Sequence, residues 1–119
     1  MSLRSVRCCD PAGSLNGAIL LVLAGIARID PARRDEVIAS AVDVMTRTRA
    51  RPGCLSFVCS ADLEDPNLLH LFLEWESAEA LFALFTPERV TALRHDAEKL
   101  GIREVSIQRY EIESVGPIV

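Results

Sequence analysis

The run Leu68-Leu-His-Leu-Phe-Leu-Glu-Trp75 holds the two side chains of this 119-residue chain best suited to chemistry on a small organic molecule, His70 and Trp75. Alternate side chains of an extended segment leave opposite faces. His70 therefore shares one face with Leu68 and Phe72, and Trp75 shares the other with Leu69, Leu71 and Leu73. A neutral imidazole among apolar neighbours can accept a proton, and it can equally hold a hydrogen bond at a protein interface. Trp75 can wall a pocket for a flat aromatic ligand or anchor a core. Tyr110, the sole tyrosine, can orient a phenolic group from its strand or stand there half-buried. His95 falls off the apolar stripe of its helix, beside Thr91 and Glu98, which is a solvated position. Glu88 sits in a first helical turn, where the dipole alone accounts for a carboxylate.

Other chemistries lack their residues. Two histidines without clustered acids predict no metal, and no Gly-rich phosphate loop or Gly-x-Ser-x-Gly elbow occurs. A net charge of −4 argues against nucleic acid, which needs a basic face. The one basic cluster, Arg47, Arg49 and Arg51, closes a predicted helix, where cations complement the carbonyl end. Among the four cysteines, Cys8 and Cys9 are neighbours in a polar leader. Cys54 and Cys59 stand an odd number apart on one predicted strand, which sends them to opposite faces about 16 Å apart. No Cys-x-x-Cys or Cys/His spacing suggests zinc or redox work, and a reducing cytoplasm is the expected compartment.

The elements that position these groups follow from period and punctuation. Residues 1–17 carry Pro11, Gly13, Ser14 and Gly17 without a period and read as a loose leader. Residues 18–115 read as one domain, and 116–119 as a tail. Ala18 to about Arg28 is nearly continuous in apolar residues, as strands buried on both faces are. Arg4 and Arg7 before it imitate a signal peptide, but a helix starts at once after Asp30-Pro31, and the run is too short to span a bilayer. That helix has a stripe of Val37, Ile38, Ala41, Val42, Val44 and Met45 and ends before Pro52-Gly53. Two strands follow, Cys54 to Asp62 and Leu68 to Trp75, joined by the turn Glu64-Asp-Pro-Asn67. Ser77 caps a short helix to Phe85, and Thr86-Pro87 opens another with Val90, Leu93, Ala97 and Leu100 on one stripe, stopped by Gly101. A last strand, about Ile102 to Val115, has Val105 and Ile107 in one phase but Tyr110 and Ile112 in the other. That change of phase predicts a bulge near Gln108-Arg109.

The order strand, helix, two strands, helices, strand predicts an α+β, ferredoxin-like split β-α-β sandwich, a four-stranded antiparallel sheet with helices on one face. The helices can cover only that face. The other keeps Leu68, His70, Phe72 and part of the first strand, an apolar area that a monomer should not leave wet. A homodimer through the sheet face, forming a dimeric α+β barrel, is the predicted remedy.

Arg51-Pro-Gly-Cys-Leu-Ser-Phe57, Asp65-Pro-Asn67, Glu74-Trp-Glu-Ser-Ala-Glu-Ala-Leu81 and Thr86-Pro87, in this order and spacing, resemble the antibiotic biosynthesis monooxygenase domain that includes quinol monooxygenases. The resemblance spans about Ala18 to Ile112. It implies a cytoplasmic homodimer that oxygenates a phenolic, quinol or polyketide-type substrate with O2, without metal, flavin or other cofactor. The substrate's own carbanion reduces oxygen, and the protein supplies a dry pocket and a polar group for the phenolic proton. Trp75 matches the family's tryptophan. Where quinol-oxidising members carry histidines this chain has Leu84 and Glu88, and where polyketide-type members carry an asparagine and a tyrosine it has Leu71 and Leu81. The expected pocket is thus Trp75, Leu71, Leu81, Leu84 and Glu88, with His70 or Tyr110 as the catalytic helper for a small aromatic or quinol-type molecule. The alternatives are a non-catalytic dimeric ligand-binding module of the same fold and, third, a haem-binding or haem-degrading barrel. Neither nucleic acid nor membrane is an expected partner.

Overall fold

Leucine and tryptophan side chains pointing the same way from two adjacent strands build the centre of this molecule. The computed structural model describes residues 20–118. The expected leader with Cys8 and Cys9, the first two residues of the expected first strand and Val119 lie outside that range. Strand β1 is Leu20–Arg28. A 3-10 turn, Pro31–Arg33, leads into helix α1, Arg34–Arg49. Strands β2, Cys54–Ala61, and β3, Leu68–Trp75, form a hairpin. Helices α2, Ala78–Leu84, and α3, Pro87–Lys99, precede strand β4, Glu104–Ile112.

The predicted caps form at α2, α3 and the 3-10 turn, while α1 itself starts after Arg33, which gives no side-chain cap. Asp30 Oδ1 accepts from the Ala32 amide at 3.0 Å, Ser77 Oγ from Ala80 at 3.1 Å and Thr86 Oγ1 from Arg89 at 3.4 Å. Each satisfies an amide that has no partner inside the helix, and Pro31 and Pro87 have no amide to satisfy. Gly101 ends α3 at φ 77°, the left-handed region that glycine enters without penalty.

The sheet order is β2-β3-β1-β4, with every neighbouring pair antiparallel. The chain is therefore an α+β, ferredoxin-like fold: β3 lies between β2 and β1, and the helical connections start from the two central strands. Register fixes which side chains share a face. Leu23 pairs with Leu73 and Leu21 with Trp75, and these four join Leu81 of α2 in one buried cluster. Ile29, Val37 of α1 and Leu69 form a second. Each such side chain contributes about 1.5–3 kcal/mol by leaving water.

Two local expectations change. The Leu20–Ile112 to Arg28–Glu104 register is unbroken, so β4 has no bulge at Gln108-Arg109. Apolar residues occur in both of its phases because both of its faces are open: Val105 and Ile107 are exposed on the helix side and Tyr110 on the other. The bulge lies in β2 instead, where the register shifts between Cys54 and Ser56. Leu55 is the extra residue, and it restores the phase. Cys54, opposite Trp75, and Cys59, opposite Leu71, therefore face the same helix side rather than opposite sides. Both thiols are free and pack against the two core clusters.

Candidate functional site

The helix side of the sheet gathers most of the predicted pocket. Trp75 is 0% exposed, held between Leu21, Leu73 and Leu81, with Leu84, Phe85 and Phe57 packed around that cluster. Its position follows from the hairpin register and from α2, which Ser77 starts two residues after β3 ends. The indole Nε1 is buried and has no hydrogen-bond partner among the described residues. A buried donor without a partner costs about 1–3 kcal/mol. Trp75 carries this cost at the one polar atom of an otherwise apolar cluster.

Beyond Trp75 the cover thins. Leu71 is only half-buried on the same face. None of the residues of α3 is buried, and Val105 and Ile107 on the helix side of β4 remain 54% and 43% exposed. Helix α1 lies over β2 instead. Arg49 gives two hydrogen bonds, 3.0 and 2.7 Å, to the Phe57 carbonyl, and the Cys59 amide meets Met45 Sδ at 3.2 Å. Leu93 of α3 is likewise 41% exposed. Glu88 is exposed in the first turn of α3, and His95 is exposed farther along the same helix.

His70 and Tyr110 lie across the sheet from all of this. His70 pairs with Ile26 and Tyr110 with Val22, in the phase opposite to Trp75. On that open face a shallow depression of about 420 Å³ is lined by Ala24, Ile26, His70, Ser106, Gln108 and Tyr110. The structure sets the two expected helpers along one depression, which Gly25 and Leu71 of the strands also line, and it separates both from Trp75, Leu81 and Leu84 by the sheet itself. Tyr110 Oη donates to Gln108 Oε1 at 3.0 Å. His70 Nε2 lies 2.7 Å from Asp62 Oδ1.

Asp62, the partner of His70, is a residue that the sequence pattern alone did not single out. Ser60 is directly opposite His70, so Asp62, two residues on, is its diagonal neighbour on the same face. The signal was available in the hairpin, since fixing the turn at Glu64–Asn67 fixes that diagonal. The amides of Glu64 and Asp65 donate to Asp62 Oδ2 at 3.0 and 2.8 Å. The His70 hydrogen bond, followed by these two amides, lowers the Asp62 carboxyl to about 2.

Among the described residues no three His, Cys, Asp or Glu side chains converge as metal ligands would, and no helix is long and apolar enough to cross a membrane. Burial raises the thiol pKa of Cys54 and of Cys59, against the thiolate form.

No curated protein matches this chain. Solved structures do. A candidate antibiotic biosynthesis monooxygenase from Deinococcus radiodurans superimposes with a TM-score of 0.75 at 21% identity, over 83% of this chain and 98% of that one. One from Chloroflexus aurantiacus gives 0.63 at 28% identity, over 82% and 95%. A conserved protein from Methanosarcina mazei gives 0.68 at 16% identity, over 82% and 97%. The sequence profile of the antibiotic biosynthesis monooxygenase family matches residues 20–94, more than half of the chain and the whole stretch from β1 through Trp75 into α3. The protein belongs to the antibiotic biosynthesis monooxygenase family.

Proposed function

We propose that this chain is a cofactor-independent monooxygenase that oxidises a small aromatic, quinol or polyketide-type substrate with O2 on the helix side of the sheet, at Trp75. The observation that carries the reading is the buried Trp75 Nε1 without a partner among the described residues, in a cluster that is otherwise apolar. A substrate carbonyl or phenolic oxygen entering there would accept that hydrogen bond and favour the enolate or phenolate form. The anion then reduces O2 itself. For an anthrone, the ring CH2 becomes C=O, one oxygen atom enters the product, and the two hydrogens leave with the other oxygen as water. Leu71, Leu81 and Leu84 would keep the anion dry. The apolar identity of Leu81 and Leu84 favours one second reading, a ligand-binding module without turnover. Haem would need a ligand histidine beside Trp75, whereas His70 is on the opposite face of the sheet and His95 is exposed on α3.

The chain works as a cytoplasmic homodimer in this proposal, joined through the open face where Val58 and Phe72 stand exposed. Substrate-dependent O2 uptake from a panel of quinols and anthrones tests the catalytic reading. Turnover by the wild type with a large loss in Trp75→Phe supports it. Saturable binding without O2 uptake would replace it with the binding module.

A further inference from the structure

We propose that the Asp62–His70 pair makes self-association proton-dependent: a second copy seated on the open face binds more tightly when the His70 ring is an imidazolium, so the dimer strengthens as pH falls through the histidine range. This regulation rests on the dimer proposed above. The charge of the pair decides its sign. Asp62 accepts from the Glu64 and Asp65 amides on Oδ2, and its Oδ1 lies 2.7 Å from His70 Nε2. An ionised carboxylate offers acceptors only, so the ring donates this bond, and it can do so neutral or protonated. With a neutral ring the pair carries one net negative charge. With an imidazolium it carries none.

The neighbours of the pair make that difference count. Ile26 of β1 stands directly opposite His70. Phe72, two residues along β3, pairs with Val58 across the hairpin, and both are exposed. A copy that covers these apolar side chains also covers the pair, whose histidine and aspartate side chains are still 47% and 25% exposed in the single chain. Taking a net charge out of water costs more than withdrawing a neutral ion pair, and more than leaving one ring N–H unmet. Asp62 stays ionised throughout, since its carboxyl is lowered to about 2. Among the described residues the other ionisable groups of this face are Arg28 of β1, ion-paired with Asp65 and Glu104 at 3.6 and 3.9 Å, Glu74, four residues along β3, and Tyr110 of β4, which donates to Gln108. Glu64 stands in the adjoining turn. Groups of these types ordinarily keep one charge state between pH 5.5 and pH 8, which leaves the histidine to titrate.

The dissociation constant of the full chain is measured by sedimentation over a dilution series at pH 5.5, 6.5 and 8, at constant ionic strength. The wild-type dimer should be roughly tenfold tighter at pH 5.5 than at pH 8, the effect of one proton held tenfold more strongly by the dimer than by the separate chains. A dimer too tight to part on dilution is read by subunit exchange, which should slow at pH 5.5. Two substitutions fix the cause. In Asp62→Asn the pair is uncharged with a neutral ring and positive with an imidazolium, so the dependence should be lost or reversed. In His70→Gln it should disappear, and this variant, which leaves the turn untouched, decides alone if Asp62→Asn does not fold. Equal wild-type affinity at pH 5.5 and pH 8, or the wild-type dependence undiminished in folded Asp62→Asn or His70→Gln, overturns the switch and leaves the dimer standing. A monomer at every pH overturns both.

Discussion

Asp62 and His70 close a 2.7 Å hydrogen bond diagonally across the β2–β3 hairpin, and the same carboxylate ties the two amides that open the turn. Its carboxyl is lowered to about 2, against roughly 3.9 in an unfolded chain. A depressed acid stabilises the fold above its unfolded value and loses that contribution as pH falls through the folded one. Stability should therefore fall between about pH 4 and pH 2 more steeply in the wild type than in Asp62→Asn. Chemical denaturation at several acidic pH values checks this, and parallel curves for the two proteins would refute it.

Cys54 and Cys59 face the core together, and burial raises both thiol pKa values. In a Cys8→Ser/Cys9→Ser background, iodoacetamide at pH 8 should label them well over tenfold more slowly than it labels the unfolded chain. Rapid labelling of the native protein, read by mass spectrometry, would contradict the packing on the helix side.

Gly25 is a close-approach position. A Cβ there would overlap the Ser106 carbonyl oxygen and lie 2.6 Å from Ile107 Cα, so β4 would have to move. Gly25→Ala should cost about 1–3 kcal/mol of stability, the usual range for overpacking. A thermal melt is the measurement, and an unchanged midpoint would show that β4 yields freely.

Arg49 ties the end of α1 to the edge strand through the Phe57 carbonyl. Replacing it with methionine keeps the stem and removes both bonds, at an expected cost of about 1–2 kcal/mol. Arg47, paired with Asp43 on the helix surface at 3.0 Å, should cost less than about 0.5 kcal/mol when truncated. Equal effects from the two in urea unfolding would refute the distinction.

Element order, caps and the two faces of β3 were legible because each rests on local chemistry: Asp30-Pro31, Ser77 and Thr86-Pro87 at the helix starts, and alternation from Leu68 to Trp75. What was not legible depends on pairing. Alternation alone sent Cys59 away from Cys54, since the extra residue Leu55 is visible only against the β3 register. The phase change in β4 read as a bulge because sequence pattern cannot tell a kinked strand from a straight one exposed on both faces. The site was legible in its parts but not in its partition. His70, Tyr110 and Trp75 were singled out by residue type, whereas the sheet between them, and Asp62 beside His70, follow from register.

The central claim is that an aromatic substrate reaches Trp75, and the sole tryptophan of the chain reports on it directly. Intrinsic fluorescence is followed while anthrones and quinols are added with oxygen excluded. The account predicts saturable quenching by at least one of them, retained in His70→Phe. Unchanged emission across the whole panel would contradict it and leave Trp75 a core anchor.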